Sequence, residues 1–190
     1  AGIVIGVLNM TGLGVKVTSV ILGMAGGKLW IALLLTAIAC LILGMEVPTT
    51  AAYIICVSVA GPVLQSLGLS PLQAHLFVFW FALLSTITPP VCGTVFIAAG
   101  MAQAPWIPVA GLSMRLGLGL YLVPLAFVAN PFLLQPGSNI FPALFAFGKI
   151  ALGLWLLSKS LIATESIPFR LGYFAAGMVA IFVQQMPFSL

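Results

Sequence analysis

Apolar residues in this chain run on for about 17 to 22 positions at a time, the length a helix needs to cross the hydrocarbon core of a bilayer. Hydrophobic residues make up 63% of the sequence and charged residues 4%, against about 25% charged in a soluble domain. So little polar surface does not coat a water-soluble globule, and lipid is the solvent. In lipid every backbone N–H and C=O must be satisfied within the protein, which leaves helices or a closed barrel. Barrel strands alternate apolar and polar residues over about ten positions, and no such alternation occurs. The expected class is an all-α, multi-pass integral membrane protein.

Six Lys+Arg against two Asp+Glu give a net charge of +4. Six cations spread over several spans do not form a nucleic-acid surface; they carry topology information instead. Cys40, Cys56 and Cys92 each sit inside an apolar run, where a cysteine behaves as a small hydrophobe. Neither their spacing nor the redox compartment favours a disulfide or metal site.

The first apolar run reaches from about Ala1 to Met24 and contains Asn9, Thr11, Lys16, Thr18 and Ser19. That polar cluster predicts packing on protein or a place at the interface. Ala25-Gly26-Gly27-Lys28 reads as a turn. Leu29 to Leu43 is short for a crossing. It is followed by Gly44-Met45-Glu46-Val47-Pro48-Thr49-Thr50 and a second arm from Ala51 to about Leu67. Two short arms about a Gly/Pro/Thr tip predict a re-entrant hairpin over 29–67.

Ser70 and Pro71 have the residue types of an N-cap and a first helical position. The next helix is expected from Leu72 to Ile87, stopped by Thr88-Pro89-Pro90, with an apolar continuation from Val91 to Met101. Proline in a helix interior costs about 3 kcal/mol or more, so 72–102 reads as one discontinuous helix. A span over 109–129 follows, then an uncharged loop from Asn130 to Asn139. Two further spans are expected over Ile140 to Leu157 and Arg170 to Met186, joined by a loop with Lys159, Glu165 and Pro168. Lys159, Arg170 and Arg115 place one face in the cytoplasm and the uncharged loop opposite; Lys28 then lies outside, against the rule.

The two interruptions are the chemically interesting places. A hairpin next to a broken helix is how secondary transporters bring free backbone groups to the bilayer midplane. Unwound carbonyls suit Na⁺, and half-helix N-termini suit an anionic group. Ordinary proline kinks whose freed groups are satisfied by neighbours are the structural alternative. Thr49, Thr50, Thr86 and Thr88 beside both breaks favour the functional one.

The run Gly44 to Tyr53, then Ala74-His75-Leu76-Phe77-Val78-Phe79, then Ile87-Thr88-Pro89-Pro90 resembles the second half of the large membrane subunit of tripartite ATP-independent periplasmic (TRAP) transporters, closest to the fused type that works with a TAXI-class binding protein. The resemblance covers about 1–134. It implies an elevator-type, Na⁺-coupled importer in a bacterial or archaeal inner membrane, accepting a carboxylate from a periplasmic TAXI-type solute-binding protein. It also implies that Gly44, Pro48, Thr49 and Thr50 form the hairpin tip and Thr88, Pro89 and Pro90 the facing break. Na⁺ is then held mainly by backbone at Gly44, Thr49, Thr50 and Thr88, with no other cofactor. Family members usually carry a small residue or Asp where this chain has Glu46. The family fold pairs two inverted repeats and only one set is present, so the remainder of the permease, with the first repeat, is an expected partner. Residues 135–190 then correspond to two additional C-terminal helices.

Glu46, an ionisable residue at membrane depth, is a functional candidate by default. It is open to ligating a cation, carrying a proton, or pairing with Lys28 or Arg115. His75 has the position of an interfacial hydrogen-bonding residue, and Arg115 and Lys149 those of helix-end anchors. Trp30, Trp80, Trp106 and Trp155 read as interface anchors or packing. A non-catalytic membrane scaffold is the competing reading. An enzyme is not expected: one His, no Asp and two distant Glu supply neither a nucleophile with its base nor paired carboxylates.

Overall fold

The computed structural model describes residues 3, 10–45, 47–134, 140–162 and 166–183. Asn9, Glu46, Glu165 and the loop residues Pro136, Gly137 and Asn139 lie outside them. The described residues are helical, with no strand among them, and three helices are long and apolar enough to cross a membrane: Thr49–Ser66, Trp106–Ala129 and Ile140–Ile162. The chain is an all-α membrane protein. It divides into two compact units, residues 1–114 and 115–190.

In the first unit, α1 (Leu13–Ala25) follows Gly12. It ends in a turn in which Gly26 and Gly27 adopt positive φ, 55° and 74°, a backbone region costly for residues with a Cβ. Thr18 Oγ1 donates to the Val59 carbonyl at 3.0 Å, so this polar residue of the first run packs on protein, as its sequence context required. Helices α2 (Leu29–Leu43) and α3 (Thr49–Ser66) pack on each other as the two arms of a hairpin, and both pack on α4 (Pro71–Leu84).

The start of α4 follows its sequence signature. Ser70 Oγ accepts from the Gln73 amide at 3.3 Å, Gln73 Oε1 accepts from the Ser70 amide at 3.0 Å, and Pro71 takes the first turn. This is a capping box, which satisfies two donors that the helix cannot.

Buried positions of this unit are mostly small: Ala32, Ala52, Ala74, Ala82 and Cys56 have no exposed surface. Lipid is as apolar as leucine, so helices in a membrane gain from close van der Waals approach, which small residues permit. Phe77 and Leu64, also fully buried, fill the remaining space. Beyond the break, α5 (Gly93–Met101) and α6 (Trp106–Leu116) share a cluster of Cys92, Val95 and Ala110.

In the second unit, α7 (Leu118–Ala129), a 3-10 turn (Pro131–Leu134), α8 (Ile140–Ile162) and α9 (Ile167–Phe182) pack together around Ala126, Ile150, Leu157 and Ile181. The division at 114/115 groups α7 with α8 and α9, whose core it shares. Helices α8 and α9 cross at Gly153 and Gly177: a Cβ on Gly153 would lie 2.9 Å from the Gly177 carbonyl oxygen, and the converse distance is 2.8 Å. This crossing is the small-residue contact that membrane helices use.

Helix boundaries differ from the sequence expectation in two further places. α8 runs five residues past Leu157, and Lys159 folds back over the Trp155 ring, 4.4 Å from its centroid. α9 begins at Ile167, not Arg170, because Ser166 is its N-cap and Pro168 fits a first turn, where a missing N–H costs nothing.

Candidate functional site

Helix α2 stops at Leu43, and the tip between the arms spans Gly44 to Pro48. The Gly44 amide still donates to the Cys40 carbonyl at 2.9 Å, and Val47 donates weakly to Gly44 at 3.4 Å. Pro48 occupies the N-cap position of α3 with no side-chain cap bond, and its carbonyl accepts from Ala52 at 2.9 Å. The first amides of α3, at Thr49, Thr50 and Ala51, are the donors that no intrahelical carbonyl can reach.

The facing break is longer than the proline pair suggests. α4 ends at Leu84, three residues short of the expected Ile87, and α5 starts at Gly93 instead of near Val91. Thr86, Ile87 and Thr88 donate their amides to the carbonyls three residues back, at 3.2 to 3.4 Å, so the helix tightens before the prolines arrive. The hydroxyls explain why. Ser85 Oγ donates to Ala82 O at 2.7 Å, Thr86 Oγ1 to Leu83 O at 2.9 Å and Thr88 Oγ1 to Leu84 O at 2.7 Å. Side chains of this kind compete with the backbone ladder and bend it.

In a continuous helix the Ser85 and Thr86 carbonyls would accept from residues 89 and 90, which are prolines and have no N–H. Ser85 O instead accepts from the Thr88 amide at 3.4 Å. Thr86 O accepts from Thr94 Oγ1 at 2.6 Å, across the break. A carbonyl oxygen has two lone pairs, and each of these contacts uses one. The Pro89–Pro90 peptide is cis.

Tip and break touch. A Cβ built on Gly44 would lie 2.5 Å from Ser85 Oγ and 2.9 Å from Ser85 Cβ, so the hairpin tip seats against the first residue of the break only because residue 44 has no side chain. Both residues are buried. Of the other sequence candidates, Thr88 is buried, Thr49, Thr86 and Pro89 are half-buried, and Pro48, Thr50 and Pro90 are exposed. Glu46 lies outside the described residues.

The family model for the tripartite ATP-independent periplasmic transporter, DctM component, matches residues 1–140. The chain belongs to the DctM family. No curated protein and no solved structure matches it. DctM membership makes this chain a membrane permease component of a TRAP transporter, a transport family and not a catalytic one, whose members work with a periplasmic solute-binding protein and a small membrane component.

Two residues at the tip and the break were not singled out in the sequence. Ser85 makes the contact with the tip, and Thr94 closes the carbonyl freed by Pro90. The only signal for either was a hydroxyl near the Thr86-Ile87-Thr88 run. A further pair near the tip, Tyr53 and His75, is joined by a 2.8 Å hydrogen bond between Tyr53 Oη and His75 Nδ1. Phe79 meets the Tyr53 ring edge-on at 5.7 Å. His75 is thus a hydrogen-bonding partner of the second hairpin arm.

Proposed function

We propose that the chain carries half of the transport site of a Na⁺-coupled importer for a carboxylate, delivered by a periplasmic TAXI-type solute-binding protein to a bacterial or archaeal inner membrane. The Gly44–Ser85 contact carries the reading. It brings a helix N-terminus at Thr49 and a segment of broken helix at 85–92 to the same end of the first unit.

Each element has the chemistry its part requires. The uncapped first turn of α3 presents N–H groups and the positive end of a helix dipole, which suits a carboxylate. The break presents carbonyl and hydroxyl oxygens, hard donors for an alkali cation, with Gly44, Thr49, Thr50 and Thr88 as the Na⁺ ligands and Pro89 and Pro90 keeping the segment unwound. Glu46 adds a carboxylate to the tip, which either ligates the cation or carries a proton. The remainder of the permease, with the inverted repeat, supplies the opposite wall.

The test is the double substitution Thr49→Val and Thr50→Val in the complete permease. Valine keeps shape and removes both hydroxyls. Na⁺-dependent uptake is abolished while membrane insertion is retained; undiminished Na⁺-stimulated uptake in the double variant overturns the assignment.

A further inference from the structure

Cys40 and Cys56 lie on opposite arms of the hairpin, and the fold brings them together. Cys40 is one helical turn before Gly44 on α2; Cys56 is two turns into α3. Cys56 Sγ lies 3.9 Å from the Cys40 carbonyl oxygen, in donor geometry. Both cysteines are free thiols, with 1% and 0% of their surface exposed. The carbonyl that receives the Cys56 thiol is also the one that holds the Gly44 amide at 2.9 Å. The thiol pair therefore sits directly behind the tip residue that seats on Ser85.

We propose that Cys40 and Cys56 are a redox modification site, a dithiol that converts to an intramolecular disulfide stapling the two arms of the hairpin. The step removes one proton and one electron from each thiol and joins the two Sγ atoms. The electron pair and both protons pass to a two-electron acceptor. Burial of both residues, at 1% and 0% exposure, selects an acceptor that partitions into apolar surroundings over a water-soluble oxidant. With molecular oxygen as terminal acceptor the balance is two thiols and half an O₂ to one disulfide and one water. Reduction by a permeant dithiol reverses it.

A bond at this point fixes the separation of the arms one turn from the tip. The bond opposes any release of the tip from Ser85 in which the arms move relative to each other, and leaves movement of the whole hairpin against α4 free. This consequence for uptake rests on the transport reading above; formation of the bond does not.

The experiment treats the complete permease in membranes with the lipid-permeant catalyst copper(II)–phenanthroline in air, then denatures it and alkylates the remaining thiols. The expected result is a disulfide-linked peptide pair containing Cys40 and Cys56, absent in Cys40→Ala and in Cys56→Ala and lost on treatment with dithiothreitol. Recovery of both cysteines as free, alkylated thiols after oxidation overturns the site. Uptake is read on the same samples. A loss on oxidation that dithiothreitol restores, and that neither alanine variant shows, supports the staple as a lock on the hairpin. Unchanged uptake in protein that is fully cross-linked overturns the lock while leaving the modification site standing.

Discussion

Gly44 seats directly on Ser85: a methyl group added at Gly44 would fall 2.5 Å from the serine hydroxyl oxygen. The hairpin and the discontinuous helix are thereby keyed together by the absence of one side chain.

Gly44→Ala tests that key. The clash involves the short Ser85 side chain and the Cys40 carbonyl at 3.0 Å, neither of which can swing away. Overpacking of this kind costs about 1–3 kcal/mol. The expected outcome is a lower melting temperature in detergent and impaired uptake, with partial recovery of both when Ser85→Gly is added. If the two substitutions are additive, the two residues do not share a contact.

Thr36 is fully buried in α2 with an Oγ1 that has no hydrogen-bond partner among the described residues. A buried, unsatisfied polar group costs about 1–3 kcal/mol, and valine has nearly the same shape. Thr36→Val is expected to raise thermal stability by up to about that amount, measured by thermal unfolding of purified protein. An unchanged or lower stability would reveal a partner outside the described residues.

Where α8 crosses α9, an added Cβ meets backbone as well as side chain: Ile181 Cγ1 would lie 2.5 Å from one on Gly153 and Leu157 Cγ 2.9 Å from one on Gly177. Gly153→Ala and Gly177→Ala each place a Cβ within 3 Å of the opposite carbonyl, so the helices must separate. Each is expected to destabilise by about 1–3 kcal/mol. The check is the melting temperature of each variant beside that of Gly148→Ala, where a Cβ meets nothing within 4 Å and little change is expected.

Lys149 ties together the ends of two helices. Its ammonium donates to Asn130 Oδ1 at 2.7 Å and to the Val183 carbonyl, while Asn130 Nδ2 donates to Ala126 O at 2.8 Å and Ile181 O at 3.0 Å. A cation at two helix C-termini is favoured by both dipoles. Lys149→Met removes a charge-assisted bond and leaves the Asn130 carbonyl oxygen without that donor, at about 1.5–3 kcal/mol. Amide hydrogen exchange at the C-terminal turns of α7 and α9 should rise. Exchange unaltered in those turns would show that the lysine is a passenger.

The class of this protein, its hairpin, its capped α4 and the existence of a break near Pro89-Pro90 were legible because each depends on local physics. Apolar run length, cap chemistry and the missing proline N–H act within a few residues of sequence. The extent of the break was not legible, because it is set by three hydroxyls folding back onto the last turn of α4, and the same Ser and Thr residues could equally have pointed outward. Nor could sequence show that Ala126 packs with α8 and α9, since that contact is made through side chains far along the chain.

Sequence alone determined that lipid is the solvent and that two helices are interrupted, because solvation and backbone hydrogen bonding are properties of a segment taken by itself. Tertiary structure decided that Gly44 meets Ser85, that Cys56 reaches Cys40, and that Lys149 closes helices ending at Asn130 and Val183. Each is an atomic distance between segments, set by how closely small residues let helices approach, and no periodicity within one segment encodes it.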